Sequence, residues 1–270
     1  MKRILLIALL CISPLLHAQV DSTSLSKLSS MLEEYYEAML FEDNSVKEEE
    51  CDYLIETCTD SLLRSFVANS ILEHYMNEPK LMGEEAVAIY LYEKWFLSGK
   101  VKPADDWKAM EADIFYRFNR QSMIGLPAPS LQLYDSQGLI HTVPEGKACV
   151  LLFYEPSCSK CQLLLASLPS VLSSLQAPLL FYAVNTGADE EAWAEMRENF
   201  RIDNPAVSLV HLWDPEVESD YQFKYGVTST PKMFFIDASA IIEGRRLEIE
   251  SLRQILQIYE LYYGQIKSEK

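Results

Sequence analysis

Hydrophobic residues in the first half of the chain recur at helical spacing. Between residues 25 and 41 they fall three or four positions apart along one face, at Leu28, Met31, Leu32, Tyr35, Tyr36, Met39 and Leu40. A face of this kind is typical of an amphipathic helix that packs on a core. The same pattern predicts three further helices, over residues 52–76, 83–99 and 103–123. Residues 19–123 are therefore predicted to form an all-α helical domain.

The pattern changes near residue 125, where Gly125, Pro127 and Pro129 interrupt the helical spacing. Continuous apolar runs at 148–154 and 178–186 predict strands that are buried on both faces. The remaining runs predict two hairpins, over residues 131–143 and 232–249, and one further strand, over residues 206–214. They also predict four helices, over residues 161–175, 189–202, 215–226 and 249–266, of which the third is short and the last closes the domain. Residues 124–270 are therefore predicted to form an α/β domain around a mixed sheet.

The first residues predict export. Lys2 and Arg3 precede a mostly apolar stretch, and Ala18 offers a small residue for cleavage. Residues 1–18 are therefore predicted to be a signal peptide, with a buried N-terminal helix as the alternative. Cys11 follows Leu10, where a lipoprotein signal needs a small residue, so lipid anchoring is not expected. We expect the periplasm as the location, and no transmembrane segment after the signal peptide.

The charge excludes some classes of partner. The chain has 23 Lys and Arg against 40 Asp and Glu, and removal of residues 1–18 leaves 21 − 40 = −19. A balance this acidic argues against nucleic acid and against an anionic membrane surface.

Five cysteines remain after the predicted cleavage. Cys51 and Cys58 are seven residues apart, which is too far for a disulfide along one straight helix. They could form a bridge only if the helix starts or breaks between them, and buried unbridged thiols are the alternative. Cys149 lies in a predicted buried strand and is expected to be an inert core thiol.

The last two cysteines stand where a buried strand meets a helix, in the stretch "FYEPSCSKC". This position places Cys158 near a helix N-terminus, where backbone N–H groups and the helix dipole favour a thiolate. Cys161 follows one turn later and is able to resolve a mixed disulfide. Alternatives are a structural disulfide, a zinc site and a copper site with His211. Zinc would need a second ligand pair at matched spacing, which the chain lacks.

A proline before a later strand adds to this pattern, in the stretch "TSTPKMFFID". Together with "GLPAPSLQLYDSQGLIHTV", "LLFYEPSCSKC" and the closing helix, it resembles the thioredoxin superfamily, in its TlpA/ResA-like branch of exported bacterial thiol–disulfide oxidoreductases. The likeness covers about half the chain. It implies a thioredoxin-like fold, Cys158 as nucleophile, Cys161 as resolving thiol, and a cis Pro231 facing them. It also implies that the Thr230 backbone pairs with a bound partner.

The remaining expectations concern partners. We expect client protein thiols or disulfides, an electron donor or acceptor, and no cofactor besides a redox-active Cys158–Cys161 disulfide. Loop residues beside the pair are expected to contact the partner: Tyr154, Pro156, Ser157, Ser159 and Lys160. The chain also resembles exported Bacteroidota proteins in which a helical domain precedes such a module. Tyrosines at 35, 36, 90 and 92 suggest that this helical region recognises a partner or covers part of the redox domain, although a core role explains most of them equally well.

The chain departs from the family in three places. Ser157 stands where tryptophan is usual before the first cysteine, Leu152 where thioredoxins bury an acid, and Leu164 where related proteins often have glutamate. Glu155 is the nearest acid and a candidate general base, with a solvated loop acid as the alternative. These departures keep open a rival function, a non-catalytic binding module with a structural disulfide.

Overall fold

The computed structural model describes residues 22–268, and it describes side chains from residue 25 to residue 265. The predicted signal peptide lies outside this range. The chain divides into two compact units after Arg120. No helix among the described residues has the length and apolar character needed to cross a membrane.

The N-terminal unit is helical. Its helices are α1 (Ser22–Met39), α2 (Asn44–Thr57), α3 (Ser61–Asn77), α4 (Glu85–Leu91), a π-helical continuation of α4 (Tyr92–Leu97) and α5 (Asp106–Asn119). Their buried apolar side chains form one core. The predicted all-α region is therefore confirmed. Tyr35, Tyr36 and Tyr92 belong to this core, so they give no support to a partner-binding surface.

The predicted helix over residues 52–76 is wrong in one respect, because it is two helices. The chain leaves α2 at Cys58, whose backbone is extended. Asp60 then caps α3, and its carboxylate accepts hydrogen bonds from the backbone N–H groups of Leu62 and Leu63. A capping aspartate satisfies backbone donors that a continuous helix would not leave open. Cys51 and Cys58 are both buried and are not bonded to each other.

Charged groups are buried between the helices of this unit. The Lys47 ammonium contacts the Glu84 carboxylate at 2.7 Å, with both side chains almost fully buried. The same ammonium donates to the Leu40 carbonyl at 3.0 Å. Asp52 accepts a hydrogen bond from the Trp95 indole at 2.7 Å. These links join α2 to α4 and its continuation, and they fix how the helices pack.

The C-terminal unit is built on one seven-stranded sheet. Its strands are β1 (Leu131–Tyr134), β2 (Ile140–Val143), β3 (Cys149–Tyr154), β4 (Leu179–Asn185), β5 (Val207–Trp213), β6 (Lys232–Ile236) and β7 (Ile242–Arg245). Its helices are α6 (Ser159–Leu172), α7 (Glu190–Asn199), α8 (Tyr221–Tyr225) and α9 (Ile249–Ser268). The sheet order is β2-β1-β5-β4-β3-β6-β7. β3 runs parallel to β4 and antiparallel to β6, so the predicted mixed sheet is confirmed.

The sheet separates two apolar layers. On one face, Leu152 and Tyr154 of β3 pack with Cys161 and Leu165 of α6 and with side chains of α9. On the other face, alternate residues of β3 pack with α8 and β6, among them Phe153. All of β3 and β4 is buried, as their continuous apolar runs predict. β3 is therefore held on both faces and both edges, and it gives the residues that follow it a rigid support.

Candidate active site

The paired cysteines lie where β3 meets α6. Cys158 is the N-cap residue of α6, with an extended backbone (φ −79°, ψ 116°), and its sulfur accepts a hydrogen bond from the Cys161 backbone N–H at 3.4 Å. Both are free thiols. Cys158 is half-buried, whereas Cys161 is fully buried. One sulfur is therefore open to a partner, and the other lies behind it.

The surroundings separate the acidities of the two thiols. Burial raises the pKa of Cys158, but hydrogen bonds to its sulfur from the Cys161 thiol and from the backbone of Cys161 and Lys160 outweigh it. The pKa of Cys158 therefore lies below the ordinary value of 9.0. Burial and the neighbouring Cys158 sulfur raise the pKa of Cys161 to about 11. Near neutral pH the outer thiol is thus the stronger source of thiolate.

The proline loop lies beside the pair because of strand pairing. β3 and β6 are antiparallel, with Phe153 opposite Lys232. The start of β6 therefore meets the end of β3, next to the loop that carries Cys158. The Thr230–Pro231 peptide bond is cis, as the family resemblance implies. The Cys158 thiol donates to the Thr230 carbonyl at 3.6 Å, and Thr230 and Pro231 are both half-buried.

We expect alkylation of the reduced protein to be selective for Cys158. At pH 7.5, iodoacetamide should label Cys158 first, because the pKa of Cys161 is about 11 and burial raises the pKa values of Cys51 and Cys149 to about 12. The rate should rise with pH to a midpoint below 9 as the thiolate forms. Peptide mass spectrometry against time measures both. A midpoint at 9 or above, or equal labelling of Cys161, would contradict this assignment.

The residues predicted to contact a partner fall into two groups. The prediction for Tyr154 is wrong, because its side chain is fully buried in the layer that contains Cys161. Pro156 is also buried, and its carbonyl accepts a hydrogen bond from the Gln162 side chain. The other three residues are exposed around the pair: Ser157, Ser159 and Lys160. These three remain available for contact with a partner.

Glu155 is held at the side of the active-site loop. Its carboxylate accepts a hydrogen bond from the Ser157 hydroxyl at 2.9 Å. Its side chain packs against Gly187, where an added Cβ would lie 2.9 Å from the Glu155 Cγ. These two residues form one wall of a pocket of about 340 Å³, whose other side includes Asp189, Glu195 and Met196. The role of Glu155 as a general base stays a prediction.

A buried aromatic cluster lies beneath Cys161, and sequence reasoning missed it. The Tyr154 side chain packs there with Trp193, which stacks on Trp213 at 4.9 Å between ring centroids. Burial raises the pKa of Tyr154, and the nearby Trp193 indole and Arg197 charge lower it in part. The one signal in the sequence is Trp193, a large apolar residue in an otherwise acidic helix. The cluster occupies the layer next to Leu152, where an acid would lie in a thioredoxin.

The alternative metal sites lack a ligand set in the described part of the chain. Among these residues, no three His, Cys, Asp or Glu side chains are grouped so that they could hold a metal ion. His211, the candidate copper ligand, lies two residues before Trp213 in β5 and therefore on the same face of that strand. Its ring packs edge-on against Phe200, and it lines a pocket with two arginines.

Comparison with known proteins agrees with the fold. A family model described as a thioredoxin-like domain matches residues 136–256. No curated protein matches the chain by sequence. A thioredoxin-like protein from Bacteroides caccae has a similar structure, with a TM-score of 0.69 and 11% identity over 95% of this chain and 92% of that one. This likeness supports the fold over both units.

Two further solved structures are similar to about half of this chain. One is the thioredoxin domain of a thiol-disulfide oxidoreductase from Bacteroides vulgatus, at 18% identity, covering 51% of this chain and 97% of that one with a TM-score of 0.45. The other is a thiol-disulfide oxidoreductase from Bacteroides fragilis, at 16% identity, covering 49% and 98% with a TM-score of 0.43.

Proposed function

We propose that this chain, whose C-terminal unit is a thioredoxin-like domain, exchanges disulfides with client proteins through Cys158 and Cys161. The observation that supports this proposal is the asymmetry of the pair. The outer thiol is half-buried and has a lowered pKa, while the inner thiol is buried and has a raised pKa. A structural disulfide has no need of two thiols with such different acidities, whereas an exchange reaction does.

The reaction begins at the outer sulfur. The Cys158 thiolate attacks one sulfur of a client disulfide, and the client S–S bond breaks as the Cys158–client bond forms. The departing client sulfur leaves as a thiolate and takes a proton. We expect the Thr230 backbone, whose carbonyl accepts from the Cys158 thiol in the reduced protein, to pair with the bound client chain. This step produces a mixed disulfide.

The inner sulfur completes the exchange. Cys161 loses its proton, its thiolate attacks the Cys158 sulfur, and the second client sulfur leaves as a thiol. The client has then gained two electrons, and the protein holds a Cys158–Cys161 disulfide. A dithiol donor reduces this disulfide by the same two steps, and the reverse sequence oxidises a client. Because the pKa of Cys161 is about 11, a base near this sulfur would speed the second step.

The place of action is part of the same proposal. Residues 1–18 have the features of a secretory signal, and a periplasmic protein would meet clients that carry disulfides. Detection of the chain without these residues in a periplasmic fraction tests this directly. A chain that retains them in the cytoplasm would contradict export and leave the exchange chemistry untouched.

A trapping experiment tests the exchange. The Cys161→Ser variant should accumulate a mixed disulfide with a client, because the first step proceeds and the second is blocked. Non-reducing electrophoresis followed by dithiothreitol treatment should show a complex that reductant releases. The Cys158→Ser variant is the matched control and should trap nothing. Equal trapping by both variants would contradict Cys158 as the nucleophile.

A further inference from the structure

A second pocket of the C-terminal unit carries chemistry that disulfide exchange does not use. It has a volume of about 350 Å³ and lies between α7 and β5, near the turn that follows β1. Two arginines and a histidine line it, Arg197, Arg201 and His211, beside the apolar side chains of Leu209 and Val210.

Three buried nitrogen atoms at this pocket lack a hydrogen-bond partner among the described residues. They are Nε of Arg197 and both ring nitrogens of His211. The Phe200 carbonyl faces the His211 ring without reaching hydrogen-bond geometry. A buried polar atom left without a hydrogen-bond partner destabilises the folded protein. Three such atoms at one pocket indicate that something else supplies their partners.

Two acids, Asp135 and Glu198, also line the pocket, but neither forms an ion pair with its arginines among the described residues. In a chain with 40 acidic and 23 basic residues, neither Arg197 nor Arg201 forms an ion pair within the described part. Arg201 donates from Nε to the backbone carbonyl of Glu198 at 3.0 Å, and the Glu198 side chain is exposed. The other acid at the pocket is Asp135, whose carboxylate already has hydrogen-bond partners.

Both oxygens of the Asp135 carboxylate have partners elsewhere. One accepts from the backbone N–H groups of Gln137 and Leu139, at 2.8 and 3.0 Å. The other lies 3.0 Å from a ring nitrogen of His141. Hydrogen bonding to His141 in particular lowers the pKa of Asp135. The carboxylate is therefore already bound by groups of the β1–β2 hairpin. Asp135 therefore closes one side of the pocket without pairing with the arginines.

Packing holds Arg197 in place for a ligand. Its guanidinium lies over the Trp193 ring, with 4.3 Å to the ring centroid. A guanidinium stacked on an aromatic face keeps its edge free, and that edge presents parallel N–H donors to a carboxylate or phosphate. Burial and the two arginine charges lower the pKa of His211 to about 4, so at neutral pH its ring offers one donor and one acceptor.

We propose that this pocket binds a small molecule through an oxyanion, a carboxylate or a phosphate group. Arg197 and Arg201 contact the oxygens, and His211 contacts a neighbouring polar group of the ligand. Leu209 and Val210 lie against its apolar part. The site is independent of the cysteine pair, since none of these residues takes part in the exchange reaction.

Calorimetric titration of the full chain tests the proposal, with inorganic phosphate, acetate and succinate as probes at pH 7 and low salt. We expect one-site binding of at least one probe, weakened about tenfold or more in Arg201→Gln. Arg201 is exposed, so its replacement should leave the fold intact. Arg253→Gln, at an exposed arginine of α9 that pairs with Glu250, is the matched control and should bind as the unaltered protein does.

A spectroscopic readout at the site accompanies the titration. The Trp193 indole signal in ¹H–¹⁵N spectra should move with the same probe, because Arg197 stacks on that ring. Binding of phosphate alone assigns a phosphate-bearing ligand, and binding of acetate or succinate alone assigns a carboxylate. No binding of any probe would overturn the proposal. Equal weakening in Arg201→Gln and Arg253→Gln would overturn it too, because the effect would then be one of net charge. The assay involves no thiol chemistry, so its failure is distinct from a failure of disulfide exchange.

Discussion

Replacement of Cys158 by serine is expected to lower the rate of disulfide exchange on the order of 10³-fold or more, since the step that forms the covalent intermediate loses its nucleophile. A serine hydroxyl at the N-cap of α6 still accepts hydrogen bonds from the first turn. The fold should therefore be retained while the chemistry is lost. Dithiothreitol-driven reduction of insulin, followed by turbidity, measures the rate.

The matched control for this variant is Cys149→Ala. Cys149 lies in the same strand–helix unit but is fully buried on the opposite face of the sheet from Cys161. Its loss should leave the exchange rate nearly unchanged. A Cys158→Ser protein that keeps more than about a tenth of the rate, or a Cys149→Ala protein that loses it while still folded, would show that the nucleophile lies elsewhere.

The largest effect on stability is expected for Glu84→Gln, at about 3 kcal/mol of unfolding free energy. Loss of one partner from a buried ion pair typically costs about 3–5 kcal/mol because it leaves the other charge without compensation. Here the charge left behind is Lys47, almost fully buried. The amide keeps part of the hydrogen bonding, so the lower end of this range applies. Urea unfolding followed by far-ultraviolet circular dichroism measures the loss.

The pKa of Glu84 gives this prediction a pH dependence. Burial raises that pKa, but hydrogen bonds from Lys47 and from the backbone of Leu81 and Lys80 lower it by more, so that it lies below 4.5. A carboxyl whose pKa is lower in the folded state stabilises the protein above its unfolded pKa and loses that effect as the pH falls. The difference between the two proteins should therefore be full at pH 7 and should shrink below about pH 4.5.

An exposed pair provides the control for the stability change. Glu78 lies 3.8 Å from Lys80, with both side chains more than half exposed. Glu78→Gln should change stability by no more than about 0.5 kcal/mol, since exposed ion pairs contribute little. Equal losses for Glu78→Gln and Glu84→Gln would contradict the importance of burial.

The sequence was sufficient for features that depend on local pattern. β3 and β4 are unbroken apolar runs between turn residues, and a strand of that kind has to be buried on both faces. A helix must then follow to cover one of those faces. That order alone places Cys158 at a strand–helix junction. The alternation of strands and helices along the chain predicts the sheet without knowledge of any contact.

Other features depend on contacts that no local pattern contains. Helical spacing runs smoothly from residue 52 to 76, yet Asp60 caps a new helix there. The apolar run predicts that Tyr154 is buried, but only the packing of α6 shows that it lies in the same layer as Cys161. Arg197 and His211 line one pocket although they come from α7 and β5. The position of α7 against β5 depends on the packing of the whole sheet.

The face of α5 illustrates the same limit. Trp107, Met110, Ile114 and Phe118 share one side of the predicted helix. The first three are exposed and Phe118 is half-buried, whereas Ala112 is buried in the core. Periodicity identifies a stripe of apolar residues but not whether a neighbour covers it. The sequence therefore predicts the helix but not which of its faces is buried.

A redox equilibrium titration of the full chain tests whether Cys158 and Cys161 exchange disulfides. We expect a reversible two-electron couple from this pair. Its potential should lie between roughly −270 mV, the value of a thioredoxin-like reductant, and roughly −120 mV, the value of a DsbA-like oxidant. The couple should vanish in Cys161→Ser. A chain with no reversible couple, or one whose couple persists in that variant, would contradict disulfide exchange and favour a binding module.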